Sequence, residues 1–305
     1  MDAIGVLDEA RPVPRTSTSR LLAYVALTKP RIIELLLITT VPTMFVASRH
    51  VPSLGLVLLT LAGGSLAAGG ANAMNMIYDR DIDAIMERTQ HRPLVTGAVS
   101  VTGALIFAIA LEVGAFALFA TTVNLLSAVL ALSATACYVG IYTVWLKRSS
   151  SQNIVIGGAA GAVPVLVGWS AVTDHLGAAP FLLFGIIFLW TPPHFWALAL
   201  RYREDYAAAG VPMLPVTTSV DGVIRQILIY TVLLWACSIA LAPFVHLGVA
   251  YLVVAIVSGG AFFAQALTLL RRHDARRAMS LFGTSITYLT VLFVAMGVIA
   301  VIQHP

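Results

Sequence analysis

Charge is scarce in this chain. Asp, Glu, Lys and Arg make up 10% of its 305 residues, against about 25% in an ordinary soluble domain. A chain with 59% apolar residues has too little polar surface to coat a water-surrounded globule, so that class is excluded. Cysteine is scarcer still: Cys137 and Cys237 both sit inside apolar runs. They supply neither a disulfide framework nor a metal spacing, and read as small hydrophobes. No apolar stretch follows Met1, as a secretory leader would require, and Asp2, Asp8 and Glu9 do not suit an acid-poor mitochondrial transit segment. Residues 1–20, polar and containing Pro12 and Pro14, are expected to form a short disordered cytoplasmic tail, with 21–305 a single intramembrane domain.

Apolar runs, by contrast, are abundant. They cover about 32–47, 54–77, 103–121, 125–145, 154–172, 180–200, 224–243, 247–270 and 281–302, and runs near 20 residues suffice to cross a bilayer. The expected fold class is therefore all-α: a polytopic membrane protein, a bundle of nine transmembrane helices around a central cavity. The fifth run carries Gly157, Gly158, Gly161 and Gly168, which permit close helix contact. Pro192-Pro193 should kink the sixth. With the N-terminus inside and the spans alternating, every Lys and Arg except Arg49 falls on the inner side. Such a bias fixes orientation, so the N-terminus is expected to be cytoplasmic and the C-terminus outside. Arg271, Arg272, Arg276 and Arg277 are read as topology charges, and no nucleic-acid partner is expected. Two inner loops four spans apart end in similar turns, Arg92-Pro93-Leu94-Val95-Thr96 and Pro212-Met213-Leu214-Pro215-Val216-Thr217. They hint at a weak internal duplication of a four-helix unit.

The second run ends in GGANAMNMIYDRDIDAIMERTQHRP, residues 69–93. On a helix turning 100° per residue, Asn72, Asn75, Asp79 and Asp83 share an arc of roughly 80°, and Asp81 points the other way. Carboxylates this close repel one another unless a cation sits between them. An oxygen-only set with few carboxylates suits Mg²⁺ shared with substrate phosphates. Arg88 and Arg92 lie just beyond, and Lys147 and Arg148 close another inner loop. Carboxylates ringed by such bases make a site for a polyanion such as a diphosphate, and the apolar bundle beneath would hold a long tail. The substrate implied is an amphiphile with a diphosphate head, which an isoprenoid diphosphate fits. The competing reading of the same acids is a solvated helix end.

The motif Asn75-x-x-x-Asp79-x-x-x-Asp83, followed by Arg88-Thr89-x-x-Arg92-Pro93-Leu94, resembles the first aspartate-rich motif of the UbiA superfamily of intramembrane prenyltransferases. Four further stretches are similar to the branch of that superfamily that farnesylates haem. They are Thr28-Lys29-Pro30-Arg31, Tyr142-Thr143-x-x-x-Lys147-Arg148 with Asn153-Ile154, Thr191-Pro192-Pro193-His194-Phe195-Trp196, and Asp205-Tyr206-x-x-Ala209-Gly210-x-Pro212-Met213-Leu214-Pro215. The matches run from the first span to the seventh. The resemblance implies transfer of the farnesyl group of farnesyl diphosphate to the 2-vinyl group of haem B, with addition of water, giving haem O and diphosphate. It implies Mg²⁺ on Asn75, Asp79 and Asp83, with Asn72, His194 and Asp205 also in the catalytic set. It implies a diphosphate clamp of Lys29, Arg31, Arg88, Arg92, Lys147 and Arg148, and haem contacts from His194, Trp196 and Tyr206. The setting it implies is the lipid bilayer of a bacterial cytoplasmic membrane, with a haem A synthase as a candidate partner. One departure stands out: other members of the superfamily carry a second Asp-x-x-x-Asp motif, and here Arg201 stands four residues before Asp205, which puts a second fully acidic metal site in doubt.

Some residues keep more than one reading. His194, within a span, is a functional candidate by position: it could ligate haem iron, hold the added water, or bond the backbone freed by Pro192-Pro193. Glu34 lies near the inner face, where it could pair with a base. Glu112 is close to mid-span, without an assigned role. Two rival functions stay open, a prenyltransferase acting on a quinone precursor or a chlorin, and a transporter with a cation site at a broken helix. The transporter would place its acids near the bilayer midplane.

Overall fold

The computed structural model describes residues 20–48 and 50–303, with the side chains of Arg31, Ile32 and residues 34–37 excepted. The expected tail, apart from Arg20, lies outside the described residues, as does Arg49. The elements are α1 (Arg20–Leu27), α2 (Pro30–Ser48), α3 (Leu54–Tyr78), α4 (Arg80–Ile85) and α5 (Val101–Thr122). Then come α6 (Leu125–Ser149), α7 (Asn153–Thr173) and α8 (Ala178–Arg201), and the short α9 (Arg203–Ala208) and α10 (Leu214–Thr217). Last are α11 (Val220–Val245), α12 (Gly248–Arg272) and α13 (Ala275–Gln303). Among the described residues no strand occurs, as expected where lipid leaves backbone polar groups no partner but their own helix.

Eight of these helices, α3, α5, α6, α7, α8, α11, α12 and α13, are long and apolar enough to cross a membrane. The place of the first expected span is taken by α2, of which Ile38–Ser48 is an apolar helix among the described side chains. Helix starts are set by local hydrogen bonds: the side chains of Ser53, Ser100, Asn124 and Ser219 accept from Leu56 N, Gly103 N, Ser127 N and Gly222 N. Such caps satisfy backbone donors that a membrane interface would otherwise strand. α8 continues through Pro192-Pro193 to Arg201.

Each long helix packs on the next in chain order from α5 to α13, α3 packs on α5, and α2 closes the ring against α7 and α13. Small residues and polar ties hold the ring where greasy packing alone has no driving force in lipid. A Cβ on Gly168 of α7 would lie 2.8 Å from the Thr40 carbonyl oxygen of α2, so a larger residue cannot sit there without moving backbone. Ser127 and Ser170 hydroxyls meet at 2.8 Å across α6 and α7, and Asn124 Nδ2 donates to the Ser170 carbonyl at 2.7 Å.

This packing makes a stability prediction. Gly168→Val should cost about 1–3 kcal/mol by overpacking, lowering the melting temperature of the detergent-solubilised protein. Gly161→Ala, with nothing within 4 Å of its added carbon, should leave that temperature in place. Equal behaviour of the two variants would refute the α2–α7 contact.

Candidate functional site

The site begins where α3 ends. Asp79 caps α3 with φ −84° and ψ 5°, and the chain restarts as α4. The break is slight, because Asp79 N donates to Asn75 O at 2.9 Å and Asp83 N to Asp79 O at 2.8 Å. The four-residue ladder thus carries the helical phase across it. Asn72, Asn75, Asp79 and Asp83 are all buried, whereas the Asp81 side chain is 64% exposed. One face turns inward and its neighbour outward, as the 100° step requires.

Opposite stands a π-helical segment of α6, Cys137–Leu146. Insertions of this kind often accompany functional sites. Thr143 Oγ1 donates to Tyr138 O, five residues back, at 2.8 Å and receives Asn75 Nδ2 at 3.0 Å. Asn75 is fixed at both ends: its Nδ2 also donates to Asp79 Oδ2 at 2.8 Å, and its Oδ1 accepts Lys29 Nζ at 2.8 Å. Lys29 sits in the α1–α2 turn at φ 52°, a strained conformation for a side-chain-bearing residue. Asn72 Nδ2 holds that turn through the Thr28 carbonyl at 3.0 Å. Lys147 Nζ pairs with Asp79 Oδ2. Arg92 Nη1 pairs with Asp83 Oδ2 at 2.6 Å, and Thr89 Oγ1 donates to the Asp83 carbonyl at 3.0 Å. Arg88 reaches the Tyr206 hydroxyl at 3.4 Å and lies over the Tyr202 ring at 5.7 Å.

Most of these groups ring the mouth of a cavity of ≈ 370 Å³, while Asp79 is fully buried behind its lining. Lys29, Asn72, Asn75, Asp83, Arg88, Arg92, Lys147 and Tyr206 line it at this end; deeper, the wall is largely Ala, Gly and Thr with Ile, Val and Leu, and Tyr138 and Tyr142 stand between. Those two rings stack at 5.5 Å. Burial is the largest effect on Lys29. Together with nearby Arg92 and Lys147, it pushes the ammonium down to about 7. Burial likewise raises the Tyr206 phenol.

Other expected site residues stand apart from the cavity. Arg148 forms a fork with Asp81 at 2.7 Å for both bonds, donates to the Tyr78 carbonyl at 3.0 Å and covers the Tyr78 ring. That fork is the main reason the Asp81 carboxyl is held down to about 2. The His194 ring is stacked between Trp190 at 4.1 Å and Phe282 at 4.4 Å, with Nδ1 at 2.7 Å from Ser285 Oγ. Trp196 is buried edge-on to Tyr230 of α11. Asp205 is half-buried on α9, beside Tyr206. Arg31 and Glu34 side chains lie outside the described residues. Thr143, Thr89 and Tyr138 are members of the site that sequence reasoning gave no role. Nothing in hydropathy distinguishes a π-helical turn from an α-helical one, so the Asn75–Thr143 contact left no signal.

Among the described residues no three His, Cys, Asp or Glu side chains converge. Asp79 Oδ1, however, is buried without a hydrogen-bond partner, an oxygen whose desolvation is otherwise uncompensated. Asn75, Asp79 and Asp83 offer hard oxygens only, and a Mg²⁺-like ion completes its shell with waters and substrate phosphates. The residues therefore fit a divalent cation that arrives with an anionic ligand.

Comparison with known proteins places this architecture. The pattern of the UbiA prenyltransferase family matches residues 36–300. A protein of Streptomyces coelicolor named protoheme IX farnesyltransferase is 54% identical over 301 residues, covering 96% of each chain. A digeranylgeranylglyceryl phosphate synthase structure shares the fold with a TM-score of 0.77 at 18% identity, covering 93% of this chain and 99% of its own. A UbiA homolog from Archaeoglobus fulgidus, bound to DMAPP and Mg²⁺, shares it with a TM-score of 0.61 at 18% identity, covering 88% and 99%.

The Lys29 environment makes a pH prediction. Below pH 7 the ammonium is charged; above it the free site holds neutral amine, and a bound anion must draw a proton onto it. Affinity for inorganic diphosphate, measured calorimetrically, should fall from pH 7 to pH 9 with proton uptake on binding. Lys29→Arg, which keeps its charge, should flatten the profile. A flat wild-type profile would show that Lys29 does not face the anion.

Proposed function

We propose, for a chain that belongs to the UbiA prenyltransferase family, that its reaction is farnesyl transfer from farnesyl diphosphate to the 2-vinyl group of haem B, with addition of water, to give haem O and diphosphate. The observation that carries this reading is the 54% identity, along nearly the whole chain, to a protein named for that activity. The site supports it, with a cationic ring at a membrane-helix end above an apolar cavity.

Asn75, Asp79 and Asp83 would hold the divalent cation, Mg²⁺ by its preference for oxygen ligands. When bound it supplies Lewis-acid stabilisation of the departing diphosphate. Lys29, Arg88, Arg92 and Lys147 donate to phosphate oxygens and stabilise the charge that develops as the C1–O bond breaks. Asn72 keeps the Lys29 turn in place through the Thr28 carbonyl. Arg148, tied to Asp81, orders the α4 end from outside. The small-residue wall takes the prenyl tail and keeps water from the allylic cation. The vinyl group attacks C1 with its π electrons and needs no base to make it nucleophilic. Tyr206, its hydroxyl held by Arg88, is the haem-side candidate that reaches the cavity. Of the other haem-side candidates, His194 faces Phe282 and Ser285 of α13, Trp196 faces Tyr230 of α11 and Asp205 adjoins Tyr206 on α9. The membrane setting we assign is a bacterial inner membrane, N-terminus cytoplasmic, C-terminus outside and α2 as the ninth span. A haem A synthase is the partner that would take the product.

Membranes containing the protein, given farnesyl diphosphate, Mg²⁺ and either haem B or 4-hydroxybenzoate, should farnesylate haem alone. Prenylated hydroxybenzoate would overturn the acceptor assignment, and full activity in excess chelator would overturn the metal. Within the site, Asp79→Asn and Asp83→Asn should each lower haem O formation on the order of 10²-fold or more. Asp81→Asn, on the outward face, should cost far less. If it proves as inactive as the other two, the inward-facing stripe is not what distinguishes these acids.

A further inference from the structure

Farnesyl transfer to a vinyl group leaves a cation on the carbon beside the porphyrin, and its capture by water must release a proton. With the diphosphate bound the clamp bases are protonated, Lys29 included, and Asp79 and Asp83 are paired with Lys147 and Arg92, so none of them is suited to take it. A carboxylate outside the clamp is suited. Glu112, on α5, is buried and has no ion-pair partner among the described residues. Its Oε1 accepts Thr135 Oγ1 at 3.0 Å, and Thr135 lines the cavity. Helix packing leaves room for that carboxylate: a Cβ on Gly70 of α3 would lie 2.6 Å from Glu112 Oε1 and 3.0 Å from the Ala108 carbonyl oxygen.

The direction of the hydrogen bond matters. Thr60 and Thr191 also face the cavity, but their hydroxyls donate to carbonyls of their own helices. Those acceptors cannot take up a proton. The Thr135 hydroxyl donates to a carboxylate, which can, and its lone pairs are left to receive from a water in the cavity. Depth agrees as well. Thr135 lies two turns before Thr143, which holds Asn75, and so on the order of 10 Å below the cation-binding end. A diphosphate, the breaking C1–O bond and a two-carbon vinyl unit span a comparable distance.

We infer that Thr135 and Glu112 form the relay that delivers the added water and accepts its proton, an inference that rests on the proposed haem-farnesylating activity. The C1–O bond breaks with its electron pair going to diphosphate, and the vinyl π pair forms the new carbon–carbon bond. A water lone pair then forms the C–O bond on the resulting cation. The water's proton passes to Thr135 Oγ1 as the Thr135 proton moves to Glu112 Oε1, and the carboxyl gives it up when product leaves and the cavity re-wets. Thr135 touches the water, whereas Glu112 acts through Thr135 and is a positioning residue. Without the relay, the cation loses a carbon-bound proton to the departed diphosphate instead and yields a product lighter by one water.

The test is the ratio of hydrated to lighter product, which a merely structural role would not move. The purified full-length protein is given farnesyl diphosphate, haem B and Mg²⁺, and products are resolved by mass. Wild type should give mainly hydrated haem. Glu112→Gln and Thr135→Val should raise the lighter fraction at least tenfold, and Thr135→Ser should restore the wild-type ratio. An unchanged ratio in either of the first two variants overturns the relay. If Thr135→Val does not accumulate, wild type in heavy water decides: the lighter fraction should rise severalfold, and an unchanged fraction overturns the relay. A wild-type protein that farnesylates no haem at all overturns the activity itself, a failure distinct from an unchanged ratio.

Discussion

Two carboxylates, Asp79 and Asp83, are kept out of water at the end of a membrane helix, and the rest of the structure is arranged to make that tolerable. An ionised carboxylate loses several kcal/mol of hydration when buried, and recovers it only through close cations and hydrogen bonds. Here each acid has its own base, Lys147 for Asp79 and Arg92 for Asp83. Asn75 fills in between, bonded to Lys29, Asp79 and Thr143 at once. Five segments of the chain thus meet at one point: the α1–α2 turn, α3, α4, the loop after α4 and the π-helical part of α6. Removing any one partner leaves a buried charge exposed to the others.

The apolar part of the bundle answers a different constraint. Helices in lipid gain little from burying greasy side chains against one another. The ring instead closes through small residues, such as Gly168 against Thr40, and through buried hydroxyls and amides, such as Ser127 with Ser170. The same small residues, where they face inward, widen the cavity: Gly161 of α7 lines it and meets nothing within 4 Å. Composition that makes the ring closable also leaves it hollow.

How much of this could be read from the sequence follows from which forces are local. The 100° step is local, so the inward face of Asn72, Asn75, Asp79 and Asp83 and the outward Asp81 were legible, although the helix pauses at Asp79. The long apolar helices and their succession were legible too, because each run must satisfy its own backbone. Partner choice was not. Arg148 and Lys147 are neighbours in sequence, yet Lys147 turns into the cavity while Arg148 forks onto exposed Asp81 outside it. His194 was conspicuous as a histidine inside a span, but its stacking between Trp190 and Phe282 depends on α13, some ninety residues on. No role for Glu112 was legible, since its partner Thr135 and the Gly70 that accommodates it lie on two other helices.

The charge balance of the mouth explains why bases outnumber acids there. Lys29, Arg88, Arg92 and Lys147 face Asp79 and Asp83, so the site carries a net positive charge before any ligand enters. On the proposed function, a prenyl diphosphate with one divalent cation is still a net anion, and its arrival would bring the mouth toward neutrality instead of overshooting it. Lys29 lowers the charge of the resting mouth. With its ammonium pushed down to about 7 by burial and by Arg92 and Lys147, it can shed its charge while the cavity is unliganded and regain it against phosphate. A site built only of acids and metal would hold its carboxylates in mutual repulsion between turnovers. A site built only of bases would bind any polyanion. The mixture offsets the buried acids at rest and, on the proposed function, would leave its excess positive charge for the diphosphate and its cation.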